Sequence, residues 1–194
     1  MAYDIFALEN KLKKMLNEER FKHSIGVMET AKYLAKKYGA NKEKAQVAGL
    51  LHDCAKAYSD EELLHLAKKY KIEIDDVLVR VPFLLHGPVA AALVEDIFGV
   101  KDEEIKRAIA LHTTGDVGMT TLDKIIFLAD YIEPNRDFEG VENLRQLAEV
   151  DLDIAVLRAF DNTICYVIEK ELILYEKTVK ARNYILMEIG SGKR

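Results

Sequence analysis

The sequence predicts an all-α fold in a single domain, and three observations lead there. Apolar residues recur at three- and four-residue intervals through most of the 194-residue chain, the spacing of helices with one buried face. Three prolines and ten glycines are too few for the closely spaced turns of a sandwich or barrel. No internal repeat, low-complexity tract or linker divides the chain, and its length suits one domain.

The elements follow in order. Ile5, Leu8, Leu12, Met15 and Leu16 form the first stripe; Phe21, Ile25, Met28 and Ala31 form the second, closed by Gly39. Residues 47–55 differ, being apolar on every side except for the adjacent His52 and Asp53, the pattern of a buried helix. Asp60 with Glu61 and Glu62 opens a helix carrying Leu63, Leu64, Ala67 and Tyr70. Pro88 suits the first turn of a helix that runs to about Phe98 and stops at Gly99. Ile105, Ala108, Ile109 and His112 mark the next, ended by Gly115; Leu122, Ile125, Ile126 and Ala129 mark another, ended by Pro134. C-terminal helices are expected over about 141–190, with two longer ones in 151–189 broken near 174–177.

Composition removes several classes of function. Hydrophobic residues at 49% beside 31% charged residues describe a chain able to bury a core, which excludes wholesale disorder. No apolar run approaches the roughly 20 residues of a membrane span. Residues 1–15 mix Asp4, Glu9, Lys11, Lys13 and Lys14 with apolar residues, unlike a secretory signal. The net charge of -5 points away from a sequence-independent nucleic-acid binder. Cys54 and Cys165 form no CxxC pair, so neither thiolate zinc nor a disulfide framework is expected, and a reduced, cytoplasmic compartment is the default.

The histidines and two aspartates are where the chemistry concentrates. His23, His52, His86 and His112 fall on core-facing helical segments, whereas His65 sits among Glu61, Glu62, Lys68 and Lys69 as a surface residue. Asp53 and Asp130 share the core-facing placement. Leaving such a group buried without a partner costs about 1–3 kcal/mol. One core histidine alone is readily explained by a hydrogen bond; four coinciding with two buried aspartates point to metal. Imidazole and carboxylate donors without thiolate suit iron, manganese, zinc or cobalt. Six donors exceed the four of one tetrahedral zinc, so two ions sharing a carboxylate are the economical count. Two divalent ions and two carboxylates leave roughly +2, enough for a hydroxide and an anionic phosphate.

The order His23, His52-Asp53, His86, His112, Asp130 resembles the HD-domain metal phosphohydrolases. The stretches His52-Asp53-Cys54-Ala55-Lys56, Leu85-His86-Gly87-Pro88-Val89, His112-Thr113-Thr114-Gly115 and the run from Asp123 through Asp130-Tyr131-Ile132-Glu133-Pro134-Asn135-Arg136 narrow the resemblance. Together with 137–141 and the tail, they look like the bacterial symmetrical dinucleoside tetraphosphatases over nearly the whole chain. That resemblance implies one HD domain over 1–194, with a metal-ligand core at about 20–132. It also implies hydrolysis of diadenosine tetraphosphate to two ADP at a two-metal site, usually iron. His23, His52, Asp53 and Asp130 would hold one ion; His86 and His112 would hold the second, with Asp53 bridging.

Around those six, Asp53 and Lys56 are the candidate catalytic residues, and Lys56, Arg136, Thr113 and Thr114 are the candidate substrate contacts. Lys56, three residues after Asp53, also reads as an ordinary helical ion pair. Arg136 can bind phosphate bidentately. Thr113 and Thr114 also read as a helix C-terminal cap, and Arg20 and Arg80 as weaker candidates. Asp123, seven residues before Asp130 on the same face, is either a support behind the ligands or a plain helix N-terminal charge. The substrate is expected to be a dinucleoside polyphosphate or another nucleotide, with neither nucleic acid nor membrane as partner. Ile164, Val167 and Ile168 are open to two roles, core or the interface of a homodimer. Two alternatives stay open: a nucleoside monophosphate phosphatase on the same metal site, and a regulatory module that binds a nucleotide without cleaving it.

Overall fold

A computed structural model describes residues 3–191. The predicted single domain over 1–194 therefore includes residues 1–2 and 192–194, which lie outside the described residues. Eleven α-helices and one 3₁₀ turn account for the elements among them, with no strand. In chain order they are α1 (Ile5–Leu12), α2 (Glu18–Tyr38), α3 (Lys42–Leu51), α4 (Asp60–Lys69), α5 (Asp76–Arg80), the 3₁₀ turn (Pro82–Leu85), α6 (His86–Phe98), α7 (Glu103–Leu111), α8 (Thr121–Ile132), α9 (Val141–Ala148), α10 (Leu152–Glu169) and α11 (Glu176–Ser191).

The centre is α8. The stripe Leu122–Ile125–Ile126–Ala129 predicts one buried face, but every residue from Leu122 to Ala129 is buried. Around α8 pack α2, α3, α7 and α10, so this helix is surrounded by protein rather than laid on a surface. Helix α2 lies along both α3 and α8, and α6 along α7. The C-terminal α10 seats α9 and α11 and touches α8.

Local chemistry explains the boundaries. Asn17, Asn41, Asp75, Asp102 and Asp151 each accept a backbone N–H at the start of a helix. Helix α4 is opened by Ser59 and not by Asp60 alone, through a reciprocal capping box with Glu62. Thr120 and Asp123 do the same for α8, which assigns Asp123 to the helix start. Gly39 and Gly99 end α2 and α6 in the left-handed conformation, as the glycine pattern predicts.

Three expectations shift. The first stripe ends as a helix at Leu12, and Met15 and Leu16 follow in turns. Helix α3 stops at Leu51, so His52 and Asp53 lie in the tight turns that follow and not within a continuous helix over 47–55. The C-terminal break falls at 170–175, just ahead of the expected 174–177. There Glu171 turns the chain with φ 53° and Leu172 N–H donates to Val167 O at 3.0 Å, with no glycine or proline to mark it.

Candidate metal centre

The structure brings His23, His52, Asp53, His86, His112 and Asp130 to one place from five parts of the chain. His23 comes from α2, Asp130 from α8, and the other four stand at helix ends. His52 and Asp53 leave α3, His86 begins α6, and His112 follows α7. Departure from the helix allows neighbours 52 and 53 to converge, with His52 Nε2 3.7 Å from Asp53 Oδ2. Gly87 brings the start of α6 against the end of α7: a side chain there would sit 2.9 Å from Ala110 O.

Each imidazole is oriented from behind. His52 Nδ1 donates to Gly49 O at 2.7 Å, His86 Nδ1 to Phe83 O at 2.6 Å and His112 Nδ1 to Ile109 O at 2.7 Å. His23 Nδ1 instead donates to a carboxylate, Glu133 Oε1, at 3.1 Å. With Nδ1 protonated in each ring, the neutral tautomer leaves a bare Nε2 lone pair. All four Nε2 atoms face inward: His23 and His52 are 3.3 Å apart, His86 and His112 3.1 Å apart.

Asp53 lies between these pairs. Its Oδ1 is 3.4 Å from His86 Nε2 and 3.5 Å from His112 Nε2, while its Oδ2 is 3.7 Å from His52 Nε2 and 3.9 Å from His23 Nε2. Asp130 Oδ1 adds a contact of 3.0 Å to His23 Nε2 and 3.8 Å to His52 Nε2. The buried Asp53 Oδ1 has no hydrogen-bond partner. Four inward imidazole nitrogens, two carboxylates and an unpartnered carboxylate oxygen form an electron-rich centre whose donor chemistry suits a metal cation. The residues fit bound metal, with Asp53 turning one oxygen toward each pair of imidazoles. His23, His52 and Asp130 place donor atoms within 4.8 Å of one another, as do His52, Asp53 and His112.

Electrostatics favour neutral rings at His52 and His86 and ionised carboxyls at Asp53 and Asp130. Burial pushes His52 and His86 down to about 4, against the opposing charge of Asp53. Burial would raise both carboxyls, yet both stay well below the usual range. Asp53 is held down by His52, His112, His86 and Lys56; Asp130 by His23, His52 and Arg136. His23 moves the other way, because Asp130 and Glu133 outweigh its burial.

The expected substrate contacts divide. Lys56 reaches the centre, with Nζ 3.0 Å from His86 Nε2, 3.6 Å from Asp53 Oδ1 and 4.3 Å from the Phe83 ring centroid. Thr113 Oγ1 lies 3.0 Å from both His86 Nε2 and His112 Nε2. Arg136 donates from Nε to Asp130 O at 2.8 Å and from Nη2 to Asp130 Oδ1 at 2.6 Å. Thr114 turns away: its hydroxyl donates to Gly115 O. His65 is exposed, as expected.

Other residues here escape the sequence reading or rank too low in it. Arg20, a weaker candidate, places Nη1 3.4 Å from Asp53 Oδ2. Arg145 of α9 clamps the 132–136 turn through Ile132 O, Glu133 O and Arg136 O. Glu133 is 1% exposed, and no local pattern marks it. Beside the centre opens a cleft of about 940 Å³, lined by His112, Thr113, Asp130 and Arg136 together with aromatic rings including Tyr131 and Phe138. That is ample for a nucleotide.

A buried His-Asp turn meeting histidines and an aspartate from neighbouring helices defines an HD domain. The HD-domain family model matches residues 20–135, and the chain belongs to that family. More narrowly, it is 44% identical over 91% of its length to a symmetrical bis(5'-nucleosyl)-tetraphosphatase of Halalkalibacterium halodurans, covering 94% of that protein. A protein of the same name from Bacillus subtilis is 41% identical, with 90% of this chain and 94% of the relative aligned. A crystal structure from Clostridium acetobutylicum, described as an HD superfamily hydrolase involved in NAD metabolism, superposes with a TM-score of 0.93. It is 42% identical, covering 97% of this chain and all of that one.

Proposed function

We propose that this protein hydrolyses dinucleoside tetraphosphates symmetrically, with diadenosine tetraphosphate and water giving two ADP at a two-metal centre. The observation that carries the reading is Asp53, buried between two sets of imidazoles with one oxygen toward each. The similarity to the tetraphosphatases over some nine-tenths of the chain supports the choice of substrate.

His23, His52, Asp53 and Asp130 would hold one ion, and His86, His112 and Asp53 the other. Bound there, the pair supplies Lewis-acid charge and lowers the pKa of a water to near neutrality. Iron is the pair we propose; manganese, cobalt and zinc share the same donor chemistry. The protein's own groups position the polyphosphate. Arg136, fixed by Asp130 and facing the cleft, presents its guanidinium to phosphoryl oxygens, and Lys56 brings an ammonium to the opposite set of ligands. Thr113 places a hydroxyl beside the same two imidazoles. Water adds to a phosphorus of the central bridge in line with the departing ADP, whose low basicity makes a strong general acid unnecessary. The aromatic wall of the cleft receives a nucleoside end.

The reduced cysteines, Cys54 buried and Cys165 exposed, are consistent with a cytoplasmic enzyme. Ile164 is half-buried, Val167 is half-buried or more open and Ile168 is 61% exposed, and these three are where we place a homodimer contact.

Elemental analysis paired with chromatography of the products tests the reading. The expected result is two ions per chain and ADP as sole product from diadenosine tetraphosphate; Asp53→Ala loses both. Nucleoside plus phosphate would indicate a monophosphatase, and tight binding without turnover a regulatory module. Full activity in Asp53→Ala would overturn the assignment.

A further inference from the structure

Three of the four imidazoles at the centre are oriented by backbone carbonyls; only His23 is oriented by a charged group. That group, Glu133, is unusually well housed. It ends α8 at 1% exposure, 110 residues from the histidine it meets. Its Oε2 accepts two hydrogen bonds from Asn135, from the backbone N at 2.7 Å and from Nδ2 at 2.8 Å, which leaves Oε1 for His23 Nδ1. Space for the carboxylate is cut into α2 at Gly26, where any Cβ would stand 2.3 Å from Glu133 Oε2 and 3.1 Å from Asn135 Nδ2. Glycine in mid-helix is less favourable than alanine, because it loses more backbone freedom on folding. Here the absent methyl is what admits Glu133.

A carboxylate behind an imidazole differs from a carbonyl. Both fix the tautomer, but a full negative charge also makes the inward Nε2 a stronger donor. The two sides of the centre are therefore unequal. The His23 side carries Asp130, with Arg136 paired to it and Arg20 beside Asp53 Oδ2, and it alone has a carboxylate, Glu133, behind an imidazole. The His86 and His112 side has carbonyl-backed rings and the Lys56 ammonium 3.0 Å from His86 Nε2.

We propose that Glu133 is a positioning residue, held by Asn135 in a recess at Gly26, that strengthens the metal position at His23, His52 and Asp130 selectively. The inference rests on the metal centre of the proposed function and concerns only how that centre is tuned. Because both ends of Glu133 accept hydrogen bonds, glutamine cannot replace it. An amide has one accepting end, so Glu133→Gln either breaks the Asn135 pair or turns a donor toward His23 Nδ1.

The test is calorimetric titration of the full chain, stripped with chelator, with Mn²⁺. Wild-type protein should take two ions. In Glu133→Gln one binding event should weaken by about 10–100-fold, the usual effect of losing a partner behind a metal-bound histidine, while the other stays within a few-fold. In a His23→Ala background the same substitution should change nothing further. Gly26→Ala, which keeps the glutamate but closes its recess, should reproduce the selective loss and carries the test if Glu133→Gln fails to fold. Unchanged binding in Glu133→Gln or Gly26→Ala, equal weakening of both events, or an undiminished effect without His23 would each overturn the proposal. Wild-type protein that takes up no ion would overturn the metal centre as well, which separates the two failures.

Discussion

Arg136 commits two donors to one ligand residue, Nε to the Asp130 carbonyl and Nη2 to its carboxylate. Lysine cannot reproduce that fork. Arg136→Lys is therefore expected to lower kcat/KM by about 10–100-fold, the 1.5–3 kcal/mol of a lost charge-assisted hydrogen bond, in a steady-state assay of ADP release. Near wild-type kcat/KM would remove Arg136 from the substrate's path. His65→Ala, on the exposed face of α4, should change nothing measurable in the same assay. At this scale the six proposed ligands were legible because polar groups stood where the helical period demanded apolar ones. Glu133 was not, since nothing in its local sequence ties it to a histidine 110 residues away; only the fold reveals its partner. Arg20 ranked only as a weaker candidate in the sequence, and the packing of α2 is what brings it to Asp53.

Helix ends carry most of the centre, so the packing of elements governs its precision. Gly87 allows α6 to start against the last turn of α7 and thereby sets His86 beside His112. Gly87→Ala must displace Ala110 O, an overpacking cost of about 1–3 kcal/mol. The melting temperature should fall by about 2–4 °C per kcal/mol for a chain of this size, read by calorimetry or circular dichroism. Ser59→Ala is the matched control: loss of the α4 capping box should cost about 1 kcal/mol with catalysis unchanged. Helices with a sustained apolar stripe and a glycine or proline stop were legible as elements. The 170–175 break was misplaced because Glu171, an ordinary residue, takes the left-handed turn. Helix α5 was missed, its five residues being too short for a period to show.

Across the whole molecule, the buried centre ties stability to protons. His52 and His86 are held near 4 when folded but titrate near 6.5 when unfolded. Their burial as neutral rings thus disfavours folding progressively as pH falls from about 6.5 to 4, because only the unfolded chain gains those protons. His23, raised in the folded state, has the opposite sign, stabilising below 6.5 and losing that contribution as pH rises through its folded value. Two depressed histidines outweigh one raised, so the melting temperature of chelator-stripped protein should drop between pH 6.5 and 4. A flat profile there would contradict the buried, neutral assignment.

The donors come from positions 23 to 130 and meet only once α2, α3, α6, α7 and α8 are packed together. An unfolded chain offers no such cage, so occupancy and folding are coupled equilibria, and a cation captured there would add RT ln(1 + [L]/Kd) to the native state. With the proposed centre, metal starvation is expected to expose the molecule to proteases as well as stop turnover, so that its lifetime reads out metal supply.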